Sequence, residues 1–256
     1  MQHFEILFFF FTVAFIYASV GFGGGSSYLA ILALYAFPFK EMKLIALACN
    51  IIVVAGGTII FIKNKQVNWK KILPLTIISV PLAFFGARMK LSQDTFFVLL
   101  GLSLLVAGIL LWVKTTPADE NLHEVNDKKN YIKDGMLGGA IGFLSGMVGI
   151  GGGIFLSPIL NLMKWDTPKR IAATASFFIL VNSIAGIAGQ LTALPNDINF
   201  ERVILLCIAV LIGGQLGSRM GAVKFNQLVV KRITAVVVFW AGIEVLTKHL
   251  DLHKLL

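Results

Sequence analysis

The sequence predicts an all-α polytopic membrane protein made of two inverted repeats, each a glycine-broken re-entrant helical hairpin followed by three transmembrane helices. Three observations lead there. Of 256 residues, 57% are apolar and 14% charged, with mean hydropathy +0.85, whereas soluble domains carry about 25% charged residues. The charges gather in short clusters and leave uncharged runs long enough to cross a bilayer. One set of motifs occurs twice, in the same order.

The uncharged runs are Ile6–Phe39, Leu44–Ile62, Ile72–Ala87, Thr95–Val113, Gly135–Met163, Ile171–Asn196 and Val203–Ser218, with a last one from Ile233 to Thr247 broken only by Glu244. They fall into two groups of four. A polar stretch of mixed charge separates the groups and reads as a solvated linker. The predicted organisation is therefore a first transmembrane repeat at 1–113, a cytoplasmic linker at 114–134 and a second repeat at 135–256. Met1–Glu5 lacks the Lys or Arg of a cleavable leader, so the first run is expected to stay in the mature chain.

The repeat rests on three matches. Gly21-Phe-Gly-Gly-Gly25 corresponds to Gly149-Ile-Gly-Gly-Gly153, Gly86-Ala-Arg-Met89 to Gly217-Ser-Arg-Met220, and Trp69-Lys-Lys71 to Phe200-Glu-Arg202. The first run of each group is over-long for one crossing, which needs about 20 residues, and its glycine cluster splits it into pieces too short to span. Each is read as a hairpin that enters, turns at the glycines and leaves on the side it came from. A single tilted and kinked crossing is the alternative.

Charge bias separates the two. Single crossings would divide the 22 Lys and Arg equally between the faces. Hairpins give each repeat an odd number of full crossings and invert the second. Seven basic residues (Lys40, Lys43, Arg88, Lys90, Arg202, Lys248 and Lys254) then lie on one face, and fifteen on the other. Loop bias toward the cytoplasm favours the hairpins, with both termini outside.

The interior offers little for catalysis. All four histidines lie in termini or linker, no carboxylate sits deep in a run, and Cys49 and Cys207 have no CxxC or His neighbour. Proton relays, hydrolytic bases and metal ligands need such groups, so no enzyme, metal or cofactor is expected. Nor is a nucleic-acid partner, because the net charge of +9 follows from loop bias. The four tryptophans, near run ends, read as interfacial anchors.

Glycine and small polar groups remain. Gly23, Gly24 and Gly25 lead into Ser26 and Ser27, and Gly151, Gly152 and Gly153 play the same part in the second repeat. The first N–H groups of a helix lack intrahelical partners and carry about half a positive charge. Glycine lets a ligand approach that backbone. Two such ends facing one another make an anion site without a buried lysine; plain helix packing is the alternative role of the glycines. Asn50, with Thr174, Ser176 and Asn182 in the second repeat, supplies candidate amide and hydroxyl donors. Ser183 lies beside Asn182, and Gln190 and Gln215 are weaker candidates.

On the glycine openings Gly21–Gly25 and Gly149–Gly153, the Pro168-Lys-Arg-Ile-Ala-Ala-Thr-Ala-Ser176 run and the Gly-x-Arg corners, the chain resembles the sulfite exporter TauE/SafE family over nearly its whole length. The resemblance implies a multi-pass protein of a prokaryotic cytoplasmic membrane that moves sulfur-containing anions such as sulfite, sulfoacetate or thiosulfate. The expectation is a secondary transporter whose half-helix N-termini hold the anion at the midplane, with access alternating between repeats. A passive anion channel is the alternative, and a homodimer is a candidate assembly. The first repeat departs from the second, with Ala48-Cys49-Asn50 in place of the Thr-x-Ser pair.

Overall fold

The computed structural model describes residues 4–19, 21–113, 131–191, 198–221 and 227–249. Their regular structure is helical, in two groups of five: α1 (Phe4–Ala18), α2 (Gly25–Leu34), α3 (Phe39–Lys63), α4 (Trp69–Arg88) and α5 (Gln93–Val113), then α6 (Tyr131–Val148), α7 (Gly153–Leu162), α8 (Pro168–Gln190), α9 (Phe200–Gly221) and α10 (Gln227–His249). Five of them (α3, α4, α5, α8 and α9) are long and apolar enough to cross a membrane. Most of the linker lies outside the described residues, and Tyr131–Asp134, expected in the linker, form the first turn of α6.

Both over-long runs break at the glycines. α1 gives way to α2 through Gly21 and Gly24 at φ 83° and 90°, and α6 to α7 through Gly149, Gly151 and Gly152 at φ 89°, 83° and 81°. L-residues with a side chain pay about 1–2 kcal/mol in that conformation. α2 and α7 are only 10 residues each, or about 15 Å of helix. Each ends on a left-handed non-glycine residue at the same place in its repeat, Ala36 at φ 54° and Lys164 at φ 47°. Pro38 and Pro168 then open α3 and α8.

The most extensive packing joins helices of different groups: α4 with α6, α5 with α10, α1 with α9 and α3 with α8. Small residues let the backbones meet, as in membrane helix pairs generally. Gly138, Gly142 and Gly146 of α6 lie on Leu75, Ser79 and Ala83 of α4, so these two helices run parallel. Gly213 and Gly217 of α9 lie on Phe11 and Phe15 of α1 in the same sense. Gly86 and Gly217, the glycines of the Gly-x-Arg corners, thus meet backbone carbonyls of α6 and α1.

The other two pairs are antiparallel. In α5 and α10, Gly101 meets Leu246 and Gly108 meets Phe239. In α3 and α8, Thr58 Oγ1 lies 2.9 Å from Ser176 Oγ, while Leu47 meets Gly186. α3 and α9 run together, from Glu41 beside Arg202 to Val53 beside Gly214. α1 and α3 therefore point the same way.

Large apolar side chains of α4, α5, α9 and α10 face outward, among them Ile77, Phe85, Val106, Trp112, Ile204, Ile212, Val236 and Trp240. Water would not tolerate such a surface; hydrocarbon does. The core lies beneath it, with Phe10, Tyr28, Phe96 and Phe178 fully buried.

Candidate functional site

The two glycine turns meet near the middle of the α3–α8 pair, and Asn50 joins them. Its Oδ1 accepts from Gly25 N at 2.9 Å and its Nδ2 donates to Ile150 O at 3.0 Å. The side chain is fully buried. A Cβ on Gly23, Gly25 or Gly151 would collide with this amide. The room these glycines leave is thus occupied by Asn50 itself, a role the sequence reading had reserved for an approaching ligand.

Neither N-cap, Gly24 or Gly152, supplies a side-chain cap, and at α2 the Gly25 N–H is met by Asn50 instead. Around the turns lie buried hydroxyls without a hydrogen-bond partner: Tyr28 OH, Ser145 Oγ and Ser183 Oγ. Each adjoins a glycine. The Cβ position of Gly24 is 2.9 Å from Tyr28 OH, that of Gly151 is 3.0 Å from Ser183 Oγ, and that of Gly152 is 3.3 Å from Ser145 Cβ. Buried hydroxyls are normally paired, so unpaired ones call for an explanation.

The structure brings Gly23, Gly24, Gly25, Asn50, Gly151, Gly152 and Gly153 together. It spreads the other expected donors. Ser27 Oγ pairs with Tyr17 OH at 2.7 Å, and Ser26 is buried nearby. Thr174 donates to its own helix at Arg170 O, 2.8 Å away. Ser176 bonds Thr58, about two turns along α3 from Asn50. Asn182 donates to Ser79 Oγ at 3.0 Å and Phe178 O at 2.8 Å, which leaves its Oδ1 unpaired. Among the described residues no group of His, Cys, Asp and Glu has the makings of a metal site.

Several residues that matter here were assigned to loops by the sequence reading. Lys43 lies inside α3, buried, with its ammonium 6.0 Å from the Phe96 ring centre. Lys71 and Asp166 are buried and paired at 3.5 Å. Trp165, expected at the interface, is buried instead, and its indole N–H donates to Asp134 Oδ1 at 3.1 Å. The match of Lys71 with Arg202 in the repeat was the available signal. Tyr28 and Ser145 gave none, being single residues in apolar helices.

Residues 6–245 match the model of the sulfite exporter TauE/SafE family. The chain belongs to that family. Among TauE/SafE-like relatives it is 33% identical, over 93% of its own length and 95% of the relative's, to a protein of Sinorhizobium fredii described as probable membrane transporter protein y4hK. It is 28% identical, over 85% of the chain and 84% of the relative, to probable membrane transporter protein MJ0441 of Methanocaldococcus jannaschii. A third relative, probable membrane transporter protein YunE of Bacillus subtilis, is 25% identical over 71% of the chain and 70% of its own length. No solved structure matches. Family and relatives make the chain a multi-pass membrane transporter.

Proposed function

We propose that the chain is a secondary carrier of a small sulfur-containing anion, sulfite or an organosulfonate such as sulfoacetate, across the cytoplasmic membrane. One observation carries the reading: two helix N-termini and three unpaired buried hydroxyls converge on left-handed glycine turns beside the middle of α3. Free N–H groups, partial positive charge and hydroxyl donors suit a tetrahedral or pyramidal oxyanion better than a cation or an apolar solute. The anion contacts the α7 terminus at Gly151, Gly152 and Gly153 with Ser183, and reaches Gly23, Gly24 and Gly25 with Ser26 and Ser27 when Asn50 yields. Thr174, Ser176 and Asn182 line the path rather than the binding point.

The repeats are inverted in the membrane, with each glycine-broken pair re-entrant, the linker cytoplasmic and the termini outside. Antiparallel pairing of α3 with α8 and of α5 with α10 supports this reading. So does the contact of Lys71 with Asp166, which gathers the basic loops 63–71 and 164–170 at one end. Alternating access follows from one repeat rocking against the other.

The test is flux into proteoliposomes with sulfite, thiosulfate, sulfoacetate and sulfate. A carrier saturates and shows counterflow of labelled substrate. Non-saturating conduction would replace it with a passive channel built from the same helix ends, and no flux of any of the four would sink the substrate class.

A further inference from the structure

The two ends of the molecule carry equivalent clamps in different states. The register that aligns Gly21 with Gly149 also aligns Ala36 with Lys164 and Phe37 with Trp165, and the two left-handed residues confirm it. Each aromatic ring lies under a cation contributed by the other repeat. Arg202, the third residue of α9, sits 4.8 Å over Phe37, and Lys71, the third residue of α4, sits 5.2 Å over Trp165. Each cation also has a carboxylate beside the next helix start: Glu41 at 3.3 Å from Arg202, and Asp166 at 3.5 Å from Lys71. Ring and cation thus recur at matched positions, and each cation finds a carboxylate near the start of the following helix, Glu41 within α3 and Asp166 just before α8.

The states differ. Lys71 and the groups it touches are buried: Lys71 is 7% exposed, Trp165 6%, Asp166 7% and Asp134 8%, with the flanking Arg170, its side chain 48% exposed, reaching outward. Lys71 Nζ donates to Trp165 O at 2.7 Å, the indole N–H donates to Asp134, and Arg170 adds a second cation 3.7 Å from Asp166. Buried charges need such pairing; Asp166 Oδ2 has only the ion-pair contact with Lys71 and accepts no hydrogen bond. Around Arg202 the packing is loose. Its side chain is 43% exposed and holds Glu41 by a single contact, a pairing of the kind worth little in water. Beside it opens a cavity of about 620 Å³ lined by Tyr35, Phe37, Asn199, Arg202, Leu205 and Leu206.

We propose that Lys71–Trp165–Asp166 and Arg202–Phe37–Glu41 are the two gates of the carrier, the first closed and the second open here, and that they exchange states as the repeats move. Trp165 is the plug of the closed gate, and Phe37 becomes the plug when the other end seals. The open end presents the half-exposed Arg202 guanidinium to incoming anions, while its counterpart Lys71 at the closed end is buried. The inference rests on the carrier reading above.

Leu206 and Leu75 occupy matched positions on α9 and α4; both side chains are buried, at 2% and 0% exposure, but Leu206 lies against the cavity beside Arg202, where the smaller cysteine opens toward it. Cysteines placed there singly, after Cys49→Ala and Cys207→Ala, report each gate through the rate of modification by a small charged thiol reagent. In the purified parent protein L206C reacts at least about tenfold faster than L75C. Asp166→Asn, which weakens the closed gate, raises the rate at L75C severalfold and lowers it at L206C by a smaller factor, because the same fraction of molecules leaves one state and enters the other. Trp165→Phe, which keeps the ring under Lys71 and removes its N–H, acts in the same direction and stands in should the first variant misfold. A rise at L75C with L206C unchanged means local fraying of a structural staple and overturns the proposal. Unchanged rates at both sites overturn it as well. Saturable flux in a parent without reciprocal labelling removes the gates and leaves the carrier; reciprocal labelling without flux does the reverse.

Discussion

Asn50 and Ile150, one hundred residues apart in the chain, are joined by a 3.0 Å hydrogen bond from the Asn50 amide to the Ile150 carbonyl. The same amide takes the Gly25 N–H, so one side chain ties the glycine turn of the first repeat to that of the second. The second repeat has no copy of this bridge, because the side chain that packs on Gly151 and Gly153 as Asn50 packs on Gly23 and Gly25 is Ile179. The centre of an otherwise paired architecture is therefore asymmetric.

Removing the bridge has a double cost. Asn50→Ala leaves a buried N–H and a buried carbonyl unpaired, at about 1–3 kcal/mol each. Thermal or denaturant unfolding in detergent is expected to report a loss of about 2–6 kcal/mol on that basis. Asn50→Asp keeps the acceptor for Gly25 and adds negative charge between the helix ends. It is expected to insert in the membrane and to abolish anion flux; flux at the parent's rate would refute an anion at these turns.

The unpaired hydroxyls yield a prediction whose two halves have opposite sign. Ser183→Ala and Ser145→Ala remove buried groups that bond nothing in the ligand-free protein, so stability should hold or rise by up to about 1 kcal/mol. If those hydroxyls meet the anion, the apparent KM should rise about five- to tenfold, the cost of one hydrogen bond of about 1 kcal/mol. Proteoliposome uptake and an unfolding curve on the same preparations check both halves. Lost stability with unchanged KM would return the hydroxyls to a packing role.

Gly24 and Gly152 are held by conformation as well as by space. At φ 90° and 81° a side chain is strained, and a Cβ would meet Tyr28 at 2.9 Å and Phe178 at 2.8 Å. Gly152→Ala should destabilise by about 1–2 kcal/mol from backbone strain alone. Gly24→Val and Gly152→Val should insert yet fail to transport, because the turn can no longer present its N–H groups. Normal flux in either valine variant would assign the clusters to helix packing.

No histidine is described in the interior, and the glycine turns hold no carboxylate. Any pH dependence of flux should then follow the substrate. Sulfite changes charge near neutral pH, whereas a sulfonate stays monovalent, so sulfite flux should vary with pH and sulfoacetate flux should not. Equal pH dependence for both would require a titrating protein group.

The topology is open to chemical labelling. Lys71 and Asp166 hold loops 63–71 and 164–170 at one end, and Arg202 and Glu41 mark the other. Single cysteines at the exposed positions Asn64 and Thr167 should resist an impermeant thiol reagent in intact cells, while one at the exposed Lys40 should react. Reaction at only one of the first two would defeat the inverted arrangement.

What the sequence determined by itself was whatever depends on local chemistry. Apolar runs at mean hydropathy +0.85 demand hydrocarbon around them. Glycine at 21–25 and 149–153 permits the left-handed backbone that ends α1 and α6, and the helices break at those clusters. Prolines 38 and 168 start helices because a missing N–H costs nothing there. The tertiary structure decided everything that depends on a partner far along the chain. A lysine three residues into α4 reads as a solvated loop charge until Trp165 and Asp166, over ninety residues away, are folded around it. An asparagine in an apolar helix reads as a ligand donor until the carbonyl of Ile150 claims it. Hydropathy averages over neighbours in sequence, whereas desolvation and pairing are set by neighbours in space, and in this fold the most extensive contacts run between the two repeats.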